Sequence, residues 1–319
     1  MPSLAWYRSR PGGRFLFRGR SLGIKGNRST PTWGKANVSS SAYDLEVRQG
    51  DRFEFGKNWS RFLTVLDDER IAEACQSFDR MLGPGFLAGK TFLDVGSGSG
   101  LFSLAAMRLG AARVHSLDYD PNSVRCTAEL KRRFFPDAAR WVVEQGSVLD
   151  AAYMARLGQF DVVYSWGVLH HTGRMWQALD QVARAVPSQG RLFIALYRDQ
   201  RWLSHAWWQV KRLYNSSWLG RALVCGLFCP YYAVSGFLAD VVRLKNPLRR
   251  YAEYKRSRGM SRVHDWIDWL GGFPFEVSTP ATIRRFYEER GFHLERDKLL
   301  PSGHGCNEFV FVKRPAPTV

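Results

Sequence analysis

FLDVGSGSGLF, residues Phe92 to Phe102, sets Gly96, Gly98 and Gly100 at alternate positions directly behind a short apolar run. The run has the composition of a β-strand, and the small residues after it make a tight turn through which a ligand can lie against backbone. A strand ending in Asp94 and followed by such a turn puts the loop at the carboxyl edge of a sheet, where open α/β sheets bind their ligands. Two common phosphate-binding patterns do not fit. The dinucleotide fingerprint calls for Gly or Ala where Leu101 stands, and a phosphate loop calls for Gly-Lys-Ser/Thr after its spacer, which is absent.

Outward from this turn, short β-rich runs alternate with helical patterns, as in βαβ units and a parallel sheet. Strands are predicted at 91–95, 113–118, 141–145, 160–166 and 190–197, followed by 292–299 and 307–314, the last two joined closely enough for a hairpin. The fifth and sixth lie roughly 94 residues apart, where a crossover needs only about 30, so an insertion over about 200–275 is required. The predicted organisation is an arm over 1–42, a core over 43–199, the insertion, and a C-terminal helix and hairpin over 276–319.

The net charge of +17 is not spread evenly: residues 1–42 hold 8 Lys/Arg and no Asp/Glu, residues 205–262 hold 11 against 2, and the remainder is neutral. A neutral body with two basic attachments points away from a protein coated for nucleic acid. The first segment is rich in Arg, Gly and Ser, which fits a flexible arm; an acid-free, Arg/Ser-rich start also resembles an organellar transit peptide, and a start codon placed too early is a further alternative. Five cysteines without a CxxC pair indicate neither a disulfide framework nor a zinc site, and they fit a reducing, cytoplasmic setting.

The next strand ends in SLDYDP, with Asp118 about 20 residues past the glycines, where a carboxylate can accept hydrogen bonds from both hydroxyls of a ribose. With EQGSVLD closing the third strand and FDVVYSWGVLHHT the fourth, the ordered set resembles a class I S-adenosylmethionine-dependent methyltransferase over about Phe53–Gly190 and the last hairpin. That resemblance implies a Rossmann-like seven-stranded α/β sheet and S-adenosylmethionine as cofactor. It implies cofactor contacts from Asp94, Gly96, Ser97, Gly98 and Gly100, from Asp118 and Tyr119, from Ser147 and Val148, and from Ser165 and Trp166. Asp94 has a second reading, as a structural brace of the glycine loop. Such enzymes often carry Asp where this chain has Ser147, so the adenine amino contact falls to Ser147 or to Asp150. Upstream, Phe55, Asn58 and Trp59 are expected either to fold over the cofactor or to pack on the core.

Methyl transfer is an in-line displacement, so the protein supplies alignment and, for a hydroxyl acceptor, a base. His171 and His170, on the loop after the fourth strand, are the expected bases, since a histidine near its ordinary pKa of about 6.5 is substantially neutral at neutral pH. The region is similar to the ubiquinone-pathway O-methyltransferases, which carry Glu-x-x-Glu-His here and are associated with a divalent metal. This chain has Gly167 and His170 in place of those glutamates and keeps only His171, so no metal is expected. A second polar group comes later: His264, Asp265, Asp268 and Glu276, then His304, Asn307 and Glu308; His264 and His304 are further candidate catalytic residues, and Gly303 and Gly305 give His304 either a mobile loop that reaches the acceptor pocket or simply a hairpin turn.

The apolar stretch 222–242 has roughly the length of a bilayer span, but Pro230, Gly226, Gly236 and Asp240 argue against one. It reads as a substrate lid, a buried helix or an interfacial contact, and its basic flanks suit the surface of an anionic membrane. O-methylation of a small, lipid-soluble hydroxylated acceptor would account for both features. A polar natural product or glycan, or an RNA stacked on Trp202, Trp207, Trp208, Tyr214 and Trp218, are the other acceptors the sequence admits. A silent scaffold would need degenerate motifs, which these are not.

Overall fold

A computed structural model describes residues 42–64, 66–242, 262–301 and 305–315. Nearly all of the expected arm and His304 lie outside the described residues, as do the side chains of Asn58, His264 and Asp265.

Seven strands form one sheet in the order β3-β2-β1-β4-β5-β7-β6. They are β1 (Thr91–Val95), β2 (Arg113–Asp118), β3 (Trp141–Gln145), β4 (Val162–Trp166), β5 (Arg191–Tyr197), β6 (Phe292–Lys298) and β7 (Cys306–Lys313). The first five pair in parallel; β7 enters antiparallel between β5 and β6, with a bulge at Leu294/Arg296. The Rossmann-like sheet and its C-terminal hairpin are those the sequence predicts. Each central strand is apolar on both sides because helices cover both faces. Phe92, Val162 and Tyr164 face a layer that contains α3 (Asp68–Leu82), α4 (Leu101–Arg108) and α5 (Pro121–Phe134). Leu93, Val95 and Val163 face the opposite layer, with α6 (Ala151–Leu157), α7 (Met175–Arg184) and α11 (Pro280–Glu288).

The strand order reverses between β1 and β4, which opens a crevice at their carboxyl ends. Two pieces outside the sheet approach it. The N-terminal helices α1 (Ala42–Gln49) and α2 (Gly56–Phe62) come from one side. From the other come α8 (Trp202–Ser216), α9 (Trp218–Val242) and α10 (Arg262–Gly271), which fill the stretch between β5 and α11 and have a core of their own around Trp207, Tyr214, Val224, Leu270 and Phe275.

Candidate active site

The glycine turn closes β1 by bending back on β2: Gly96 N and Ser97 N both donate to Leu117 O, at 2.8 and 3.0 Å. Gly100 then begins α4 at φ 81°, with the Thr127 backbone 2.8 Å from where a Cβ would stand, so no side chain fits there. Gly98 lies under the Trp59 indole, whose ring would meet an added Cβ at 3.2 Å. Trp59 therefore covers the turn, and α2 is held there by Gly56 N donating to Asp120 Oδ2 at 2.7 Å.

Two carboxylates frame this turn. Asp94, almost fully buried, accepts from Ser103 Oγ at 2.5 Å; Ser103 meets Ser116 Oγ at 2.6 Å, and Trp141 Nε1 donates to Ser116 at 2.9 Å. It thus braces α4 against β2 and β3 from beneath the loop. Asp118 accepts from Gly98 N and Asp120 N, both at 2.9 Å, so it orders the same loop from the edge of β2. Burial pushes both carboxyl groups up to about 7, opposed by the Ser103 hydroxyl at Asp94 and by the Gly98 and Asp120 amides at Asp118.

The other expected cofactor residues divide. Trp166 stands 43% exposed at the end of β4, and Val148 is buried beside the half-buried Ser147. Ser147 Oγ accepts from Leu149 N at 3.2 Å, while the Asp150 carboxylate caps α6 through Tyr153 N at 2.9 Å. Ser97 Oγ meets Thr127 Oγ1 at 2.9 Å, inside the turn. Ser165 is turned away from the crevice: its hydroxyl, fully buried, donates to Val95 O at 2.8 Å and ties β4 to β1.

Tyr119 leads to a strap that the sequence reading missed. Its hydroxyl donates to Glu46 Oε1 at 3.2 Å, Arg52 lies over its ring at 4.9 Å, and Arg52 Nε pairs with Glu46 at 2.6 Å. Arg52 Nη1 also donates to His171 O at 3.1 Å, so one guanidinium joins α1, the end of β2 and the turn after β4. No local pattern in RQGDRFEF marks that role.

The turn Leu169–His171 separates its two histidines. His170 is fully buried, its ring 3.9 Å from that of Tyr197, and neither nitrogen has a hydrogen-bond partner among the described residues. Burial, then the charges of His171 and Lys211, holds it well below its usual pKa, so it is a neutral packed ring and not the accessible base expected of it. His171 donates from Nδ1 to Pro274 O at 2.6 Å, which fixes Nε2 as the unprotonated nitrogen, and Phe55 packs 5.0 Å from its ring. Burial pushes His171 down to about 3, not the near-ordinary value expected.

Of the later polar group, Glu276, Asn307 and Glu308 serve the framework. Glu276 Oε2 accepts from Met175 N at 2.9 Å and so caps α7. Asn307 Oδ1 accepts from Leu300 N at 2.9 Å, and Glu308 pairs with Lys298 at 3.0 Å. The group sequence reasoning overlooked is Lys211 on α8. It is fully buried, bonded to Trp269 O, and lies 4.2 Å over the Trp269 ring and 4.9 Å over that of Phe275. Burial alone holds it down to about 7, and no carboxylate among the described residues pairs with it.

A family model described as "Methyltransferase domain" matches residues 87–256, more than half the chain. Ribosomal protein L11 methyltransferase of Xanthomonas campestris pv. campestris is 47% identical over 55 residues, 17% of this chain and 18% of that protein. Its counterpart in Anoxybacillus flavithermus is 32% identical over 121 residues, 34% and 38% of the two chains, so this chain spans well under half the length of either. Among solved structures, magnesium protoporphyrin IX methyltransferase from Synechocystis PCC 6803 with bound SAH superposes with a TM-score of 0.45 at 13% identity, covering 88% of this chain and 90% of that one. With the glycine turn and its paired carboxylates lying inside the matched span, the chain belongs to the methyltransferase-domain family, and its core is an S-adenosylmethionine-dependent methyltransferase of class I.

Proposed function

We propose that the enzyme methylates a hydroxyl group, phenolic or enolic, on a small and largely apolar acceptor. The observation that carries this reading is the fixed tautomer of His171, at the sheet edge between the glycine turn and the aromatic insertion. When bound, S-adenosylmethionine supplies an electrophilic methyl group; the protein's part is to align the acceptor and remove its proton.

The chain's residues fit that cofactor. Trp59 lies directly on the Gly98 turn, Asp118 offers a carboxylate where a ribose would lie, and Phe55 closes the crevice from the loop before α2. His171 Nε2 keeps its lone pair throughout the neutral range because burial, helped by the charges of Lys211 and Arg52, holds the ring neutral against the Pro274 carbonyl, which favours the charged form. The same burial makes it a weak base. Lys211, a buried cation without a carboxylate, offsets that weakness by stabilising negative charge that develops on the acceptor oxygen. Rings of Tyr197, Trp269 and Phe275 around this region favour a flat, apolar acceptor, in line with the resemblance to ubiquinone-pathway O-methyltransferases.

The test is to incubate the enzyme with methyl-labelled S-adenosylmethionine and separate cell extract into lipid-soluble, protein and RNA fractions. Label in a lipid-soluble hydroxylated compound, lost on His171→Ala, supports the reading. Label in protein, as the name of the L11 methyltransferases would have it, or in RNA, overturns it.

A further inference from the structure

Helix α9 is apolar on every side, and among the described residues one side alone has a partner. Val224, Cys225, Phe228, Cys229 and Tyr232 pack into the core of the insertion, and Asp240 continues that inward face. The opposite side presents Leu219, Leu223, Leu227, Tyr231, Val234 and Leu238, spaced three and four apart as one stripe along the helix. The stripe is bare: Leu227 is 64% exposed, Trp218 at the start of the helix 76%, and Val242 at its end 82%. A soluble chain seldom leaves a contiguous apolar patch of this extent in water.

The chain next to the stripe is basic in sequence. The sequence that follows α9 directly, residues 243–261, holds seven Lys/Arg against one Glu. A second copy of this chain would bring like charges together around the apolar contact, whereas an anionic lipid surface meets both features at once. Crossing the bilayer is a different matter: α9 has the length for it, but its inner face is packed on Trp207, Tyr214 and Leu270, and leaving would strip that core. We propose that the bare face of α9 docks in the plane of an anionic membrane, with the basic charge of the insertion drawn to lipid headgroups. The proposal stands on α9 and does not depend on which acceptor is methylated.

Co-sedimentation of the full chain with phosphatidylcholine vesicles, with and without phosphatidylglycerol, tests it. Binding should require the anionic lipid and weaken as salt rises, since exposed charges are screened beyond about 8–10 Å at physiological ionic strength. Leu223→Glu with Leu227→Glu should lower partitioning at least about a hundredfold, because each leucine withdrawn from lipid forfeits roughly tenfold. Arg249→Ser with Arg250→Ser should lower it on anionic vesicles by roughly fivefold per residue. Affinity for S-adenosylhomocysteine is the control for folding and should stay within about twofold in both variants, since both pairs lie outside the glycine turn and the first five strands. Protein that remains in the supernatant with both vesicle types at low salt overturns the proposal, as does unchanged sedimentation of the Glu pair. A dimer in analytical ultracentrifugation that the Glu pair dissociates assigns the stripe to a second copy instead.

Discussion

The crevice has two walls made by different means. On the glycine side, buried polar groups are partnered: Asp94 on Ser103, Asp118 on two amides, Ser165 on Val95 O. On the insertion side, rings do the packing, and polar groups sit among them at a cost: His170 without a partner among the described residues, and Lys211 with one backbone carbonyl and two aromatic faces. Hydrogen bonds on the first wall fix geometry for one ligand of constant shape. Rings on the second are less directional, and an uncompensated cation there lowers stability unless something anionic joins it.

The largest break between the walls should come from His171. His171→Ala is expected to cut turnover about 10²–10⁴-fold while calorimetry shows S-adenosylhomocysteine affinity nearly intact; a loss of both would mean that the ring supports the cofactor wall instead. Lys211→Met comes next and has opposite signs in two assays. Removing a buried unpaired charge should stabilise the protein by about 1–4 kcal/mol in thermal or urea unfolding while turnover falls. A destabilised variant would mean that Lys211 is a structural anchor. On the partnered wall, Asp118→Ala should lose about 1.5–3 kcal/mol of S-adenosylhomocysteine affinity, the range for a hydrogen bond to a charged group.

The smallest effect is one of pH. Asp94 and Asp118 have folded pKa values raised from 3.8 to about 7, so their contribution to stability is fully present below 3.8 and is lost as pH rises through about 7. Ribose hydroxyls donate to the ionised form of Asp118, so ligand affinity should run the other way. It should rise with pH by up to about tenfold per unit and level off above the raised pKa. Calorimetry across pH 5–8 checks this, and Asp118→Asn should flatten the curve. A flat curve in the native enzyme would place the ribose elsewhere.

The same contrast separates what could be read from the sequence. Central strands such as TFLDV and RLFIALY, covered on both faces, write themselves as short apolar runs, and an edge strand such as FHLERDK was legible from the hairpin link beside it. The glycine turn and Asp118 were legible because each hydrogen bond there joins the ends of neighbouring strands in one continuous motif. The strap was not: Arg52 reaches Tyr119 and His171 across most of the first half of the chain. Nor was Lys211, whose cage comes from Trp269 and Phe275 on the far side of α9. A lysine between WWQV and RLYN looks like any helix-surface cation until tertiary packing buries it. For Ser165 and His170 the sequence placed the residues at the correct edge, and the direction of each side chain decided against the expected role.

The sheet order carries a consequence for how the molecule is made. Strand β5 is synthesised early, yet the neighbour that completes its free edge is β7, with Arg191 paired to Val312 and Tyr197 to Cys306. While the ribosome adds α8, α9 and α10, that edge offers unsatisfied amides and carbonyls to any passing strand, beside a helix that is itself greasy on the outside. Between the birth of β5 and the arrival of β7, the nascent chain therefore passes through its most adhesive stage. Whatever shields it then, a chaperone or the bilayer, acts on the protein before it has an active site.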